Sequence, residues 1–132
     1  MARHAACRPA ASSLTAGAAW VFTRRGGVWT QEGDKLVANG AVGSARQGMS
    51  VALSADGNTA LVGGLVDDGG VGAASEFTRS GGQWTQNKKL VGTGAMAASS
   101  VALSADGSIA MIGASNDVGG VGATWVFARS SP

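Results

Sequence analysis

Hydrophobic positions along the chain come in short runs broken by Gly, Asp and Ser, and one such pattern occurs twice. Ser50-Val51-Ala52-Leu53-Ser54 and Thr59-Ala60-Leu61-Val62-Gly63 flank Asp56-Gly57; Ser100-Val101-Ala102-Leu103-Ser104 and Ile109-Ala110-Met111-Ile112-Gly113 flank Asp106-Gly107. Short apolar runs joined through Asp-Gly predict β-hairpins, with Asp and Gly in a type I′ turn. Turn chemistry therefore accounts for Asp56 and Asp106. The second run of each pair is apolar on both faces: Leu61 lies between Ala60 and Val62, and 109–112 has no polar member. A strand of that kind must be covered from two sides.

The self-similarity extends past the hairpins. A third strand is predicted over 18–24, 73–79 and 123–129, where Gly17-Ala18-Ala19-Trp20-Val21-Phe22-Thr23-Arg24 recurs with changes. A more polar fourth strand is predicted over 29–37 and 84–91, as expected of a charged outer edge. Val51 to Val101 and Gly72 to Gly122 are each 50 residues apart, and Gly17 to Gly72 is 55. A period near 50 with frequent turn signals suits a four-stranded unit. The predicted fold is all-β: a partial β-propeller of about two four-stranded antiparallel blades plus extra strands. Residues 1–15 are expected to form an unstructured or weakly structured tail and 16–130 the blades, as a partial unit 16–49, a complete unit 50–99 and a partial unit 100–130. A propeller closes with about four to eight blades, so even the smallest ring needs roughly 200 residues at this period and the chain cannot close alone. Either the strand at 29–37 pairs with that at 123–129 to complete a second blade, or several chains assemble. Stacked units leave an apolar face open at each end, so self-association or membership of a longer propeller is expected.

Composition narrows the classes. Charged residues make up 14% and hydrophobic ones 45%, which argues against disorder. The net charge of +2 comes from Arg3 and Arg8; the remaining basic and acidic side chains balance. With no basic stripe, nucleic acid is not expected as a partner. His4 and Cys7 are the only residues of their kinds, so an internal disulfide and a multi-Cys zinc site are excluded. No apolar run approaches the ~18 residues of a membrane helix. Met1–Pro9 does not read as a signal peptide.

The segments "SVALSADGNTALVG", "DDGGVGAA" and "WVFTRRGGVWTQ" together resemble the FG-GAP repeat, the blade unit of integrin-α-like propellers and of many bacterial surface proteins. The resemblance covers about 16–130. It implies a bacterial-type, extracellular or cell-surface setting and a protein-binding role. There are departures. The Phe-Gly signature is Gln47-Gly48 in one copy and Ala97-Ala98 in the other; the later Gly-Ala-Pro is Gly63-Gly64-Leu65 and Gly113-Ala114-Ser115. Calcium-binding members carry a D-x-D-x-D-G loop, here reduced to Asp56-Gly57 and Asp106-Gly107. One carboxylate each falls short of the six or more oxygens that calcium takes, so no metal and no cofactor are expected.

Asp67-Asp68 and Asn116-Asp117, in the links between second and third strands, offer oxygens for a cation or sugar; solvated loop residues are the preferred reading. Trp20, Trp29, Trp84 and Trp125 could stack on sugar rings, but their equivalent places in the unit point to packing. Gly92-Thr93-Gly94-Ala95-Met96-Ala97 imitates a dinucleotide motif without room for its helix. Glu76 takes the place of Val21 and Val126, implying a solvated face or a partner such as Arg79. Ser-His or Cys-His catalysis has no supply of residues outside the first segment, and Asp67-Asp68 alone assembles no acid-base pair. The expectation is a non-catalytic interaction or scaffold module, binding a protein or carbohydrate, with no catalytic residues. A supporting segment of a larger enzyme, or a truncated remnant, stays open as an alternative.

Overall fold

The structure, a computed structural model, describes residues 2–8 (backbone), 17–39, 46–64, 72–92, 98–114 and 121–129. These form three antiparallel sheets. Sheet 1 has the order β1-β2-β3, with β1 Ala2–Arg8, β2 Ala18–Arg25 and β3 Val28–Gln31. Sheet 2 has the order β4-β5-β6-β7, with β4 Gln47–Leu53, β5 Thr59–Gly64, β6 Ala73–Ser80 and β7 Gln83–Leu90. Sheet 3 has the order β8-β9-β10, with β8 Ala98–Leu103, β9 Ile109–Ala114 and β10 Ala123–Ala128.

Both predicted hairpins are present and share one register, with Val51 opposite Val62 and Val101 opposite Ile112. The turn type differs from the type I′ expectation. Of the Asp-Gly pair only the glycine has positive φ, 70° at Gly57 and 76° at Gly107, whereas type I′ needs two such residues. The Gly57 N–H donates to the Ser54 carbonyl (2.9 Å) and the Ser54 N–H to the Thr59 carbonyl (2.9 Å), so the loop is wider. The paired positive φ values lie instead at Gly26-Gly27 (55° and 81°) and Gly81-Gly82 (58° and 80°). There they close the tight hairpins β2–β3 and β6–β7.

Sheet 2 is the middle layer. One face of β5 (Ala60, Val62) joins Phe77, with Val51, Leu53 and Trp84, against Ala19, Val21, Leu36 and Ala38 of the first sheet and its following segment. The other face puts Leu61, with Ala52, Ala74 and Leu90, against Ala110, Ile112, Val101, Leu103 and Phe127 of sheet 3. Leu61 is 0% exposed and Val62 2%. The two-sided apolar pattern of β5 is thus buried on both sides. On β9 only one face is covered: Ala110 and Ile112 are buried, while Ile109 and Met111 point outward, the latter 42% exposed.

Three expectations need correction. Residues 2–8, read as tail, form β1 and pair along β2 from Ala2↔Arg24 to Arg8↔Ala18. Propensity could not show this, because Ala-Arg-His-Ala-Ala-Cys-Arg lacks β-branched residues; what the pairing does is close the edge that β2 would otherwise present. The strand predicted over 29–37 is shorter: β3 stops at Gln31, and the chain rejoins β2 only at Leu36, where Ala19 and Leu36 exchange N–H···O bonds of 3.0 and 2.7 Å. Gly33 turns the intervening segment at φ 72°. Finally, β3 pairs with β2 and not with the strand at 123–129, because the two-residue Gly26-Gly27 turn needs almost no loop closure.

The asymmetry between β5 and β9 gives a direct expectation. Leu61→Ala should lower the unfolding free energy by about 2–5 kcal/mol. In the monomer, at concentrations below association, Met111→Ala at the matching register position should cost no more than about 0.5 kcal/mol. Urea titrations of both variants check this; equal losses would mean that β9 is covered on its outer face too.

Candidate functional site

The chemistry-bearing side chains gather at three places: the Asp-Gly turns and the two junctions between sheets. At the second turn, the Asp106 Oδ1 accepts from Ser104 Oγ (2.8 Å), Ser108 N–H (2.9 Å) and Ser108 Oγ (2.7 Å). Ser104 Oγ in turn accepts from the Ile109 N–H at 3.0 Å. The first turn repeats the scheme with Ser54 Oγ (2.7 Å) and Asn58 N–H (2.9 Å) on Asp56. These aspartates are consumed by holding the loop, and the Ala55 N–H of one turn donates to the Ala105 carbonyl of the other (2.8 Å). The donors from Ser108, then Ser104, hold the Asp106 carboxyl at about 2, below its usual 3.8.

At the junction of sheets 1 and 2, Glu32 follows β3 and collects donors. Its Oε1 accepts from Arg79 Nε (2.6 Å) and the indole Nε1 of Trp84 (3.0 Å), and its Oε2 from Thr23 Oγ1 (3.4 Å). The pair is largely shielded, with side-chain exposures of 22% and 14%. Nearby Gln47 is buried and grips Ala38, its Oε1 accepting the Ala38 N–H at 2.6 Å and its amide donating back to the Ala38 carbonyl at 3.3 Å. Gly48, at φ 90°, brings its backbone against the Ala18 carbonyl so closely that a Cβ would collide with it.

At the junction of sheets 2 and 3 the carboxylate is Glu76. It accepts from Arg129 Nη2 (3.0 Å) and Asn87 Nδ2 (3.1 Å). The expected partner Arg79 is corrected: it is engaged by Glu32, and the equivalent arginine of the next sheet takes Glu76 instead. Beside this pair lies a cavity of about 360 Å³ lined by Glu76, Leu90, Ala110, Phe127 and Arg129, among others. A second, more open hollow of about 530 Å³ has Ser100, Gly113 and Thr124 on its wall, and its described lining carries no ionisable side chain.

The other candidate residues scatter. Asp67, Asp68, Asn116 and Asp117 lie outside the described residues, as do 93–97 of the glycine-rich stretch. Gly92 is described, and Trp125 packs on it so tightly that a Cβ there would clash. Trp84 joins the core between sheets 1 and 2, while Trp29, at the matching place on β3, is 49% exposed. Register places His4 opposite Phe22 and Cys7 opposite Ala19. Among the described residues no three His, Cys, Asp or Glu groups cluster to hold a metal ion, and no helix is long and apolar enough to cross a membrane. Sequence reasoning missed Glu32 and Asn87, which lie just beyond the segments that recur. Arg129 was visible only as the common end of 24, 79 and 129. The chain matches no protein-family model and no curated protein. What fold and site define together is an all-β chain whose sheets are pinned across their junctions by arginine–carboxylate pairs.

The turn makes a titration testable. Because the folded Asp106 pKa is depressed, its contribution to stability is present above the ordinary carboxyl value and lost as pH falls through about 2. Ser108→Ala removes the largest cause, so the Asp106 midpoint read by carboxyl NMR should rise toward 3.8; an unmoved midpoint would contradict the assignment.

Proposed function

We propose that the chain is a run of FG-GAP-like propeller blades acting as a non-catalytic interaction and scaffold module of a surface or secreted protein. The observation that carries this reading is the use of β5 as a strand covered on both faces, with an equivalent face of sheet 3 left open. Sheet 2 covers its Leu61 face with sheet 3. The same register positions of sheet 3 carry Met111 (42% exposed) and Val126 (62%), beside Ile109 (44%). An apolar face so exposed fits association, since contiguous exposed apolar surface marks interaction sites. The reading gives the ionisable groups structural work, in turns and sheet junctions, and assigns none to bond-making chemistry. By the same resemblance its setting is extracellular or at a cell surface, and its partners are other copies or further blades.

Light scattering coupled to size exclusion tests the reading. The chain at micromolar concentration should form a discrete oligomer, and Met111→Lys with Val126→Lys should dissociate it to monomer without loss of β circular dichroism. A wild-type monomer at all concentrations, or a polydisperse aggregate, would contradict it.

A further inference from the structure

We propose that a tryptophan–glycine lock decides which sheet can stack on which: Trp125 of sheet 3 accepts a preceding sheet with glycine at the place of Gly92 and refuses one built like sheet 1. The proposal rests on the module reading, in which stacked sheets are the working unit, and deepens it by naming the residues that select a neighbour.

The lock is made of matching places in successive sheets. Leu36 bridges to Ala19 as Leu90 pairs with Ala74. Lys35-Leu36-Val37-Ala38 and Lys89-Leu90-Val91-Gly92 therefore stand at the same place in sheets 1 and 2. Ser75 lies opposite Val62 on β5 and Trp125 opposite Ile112 on β9, so these two also match. Each faces the sheet before it, because Val62 packs toward sheet 1 and Ile112 toward sheet 2.

The two junctions distribute bulk differently. Between sheets 2 and 3 a Cβ at Gly92 would lie 2.5–2.8 Å from three atoms of the Trp125 ring, and the φ of Gly92 is outside the left-handed region. The ring, and not the backbone conformation, is what requires glycine there. Between sheets 1 and 2 the matching pair is Ser75, 6% exposed, and Ala38. Bulk comes instead from β4, whose buried Gln47 closes on the Ala38 backbone with both ends of its amide. In the next copy Ala97 stands at the place of Gln47. A follower with Ser75 and Gln47 thus leaves room for a methyl group, and one with Trp125 does not. Close-packed interiors do not absorb such an overlap without strain. Sheet 3 set against sheet 1 would drive its indole into the Ala38 Cβ, and specificity needs a repulsive element of this kind against the wrong neighbour.

Native-state hydrogen exchange on the full chain tests the lock. Gly92→Ala should raise the opening constant of the β10 amides, 123–128, about tenfold or more. In the Trp125→Ser background the same Gly92→Ala should change it by less than about threefold. Moving the lock to the other junction gives a second measurement. With Ser75→Trp and Gln47→Ala in place, Ala38→Gly should lower the opening constant of the β6 amides about tenfold or more, whereas in the wild-type chain Ala38→Gly should raise it. Equal effects of Gly92→Ala in its two backgrounds, or Ala38→Gly acting alike in both of its own, would overturn the lock. Either failure leaves the oligomer read by light scattering untouched, so the module reading stands or falls separately.

Discussion

Burial of β5 on both faces is the constraint from which the rest of the architecture follows. Ala60 and Val62 lie in one apolar cluster and Leu61 in the other, and each fully buried aliphatic side chain is worth about 1.5–3 kcal/mol. A single sheet cannot provide that, since each of its faces meets water unless another layer covers it. Sheets 1 and 3 are therefore conditions for sheet 2 to exist, and the outward faces of sheets 1 and 3 inherit the problem that sheet 2 has solved.

The polar groups serve the same stacking. At each junction an arginine closing the third strand meets a carboxylate from the neighbouring sheet, Arg79 with Glu32 and Arg129 with Glu76. The carboxylates come from different strands, one beyond β3 and one within β6. The geometry is thus preserved while its source changes, which is why Glu76 stands where the other sheets carry valine. Two further hydrogen bonds add to the seam: the Val101 N–H donates to the Ser50 side-chain Oγ at 3.0 Å and the Ala55 N–H to the Ala105 carbonyl. Such partly shielded pairs set how neighbouring sheets align more than they add stability.

Much of the fold was legible because it is local. Short apolar runs flanking Asp-Gly marked the hairpins of β4–β5 and β8–β9, and the unbroken apolar run of β5 foretold its double burial, whereas the equally apolar run of β9 is covered on one face only. The turn type was not legible, because the Asp side chain captures Ser54 Oγ and the Asn58 N–H and draws the loop wider than two residues. Nor was β1, whose alanines and arginines carry no strand signal and whose place is fixed by the open edge of β2. The junction chemistry was half visible: the arginines recur with the period, but Glu32 and Asn87 sit where the two copies diverge, and only the packing of sheet 2 on sheet 1 brings Glu32 to Arg79 and Trp84.

The central claim is that sheet 2 is the covered middle layer on which its neighbours depend. Native-state hydrogen exchange resolved by residue tests it most directly. The amides of β5, Thr59–Gly64, should exchange slowest in the chain, at the rate set by global unfolding, and those of β9 should open earlier. Protection on β9 equal to or greater than that on β5 would contradict the account.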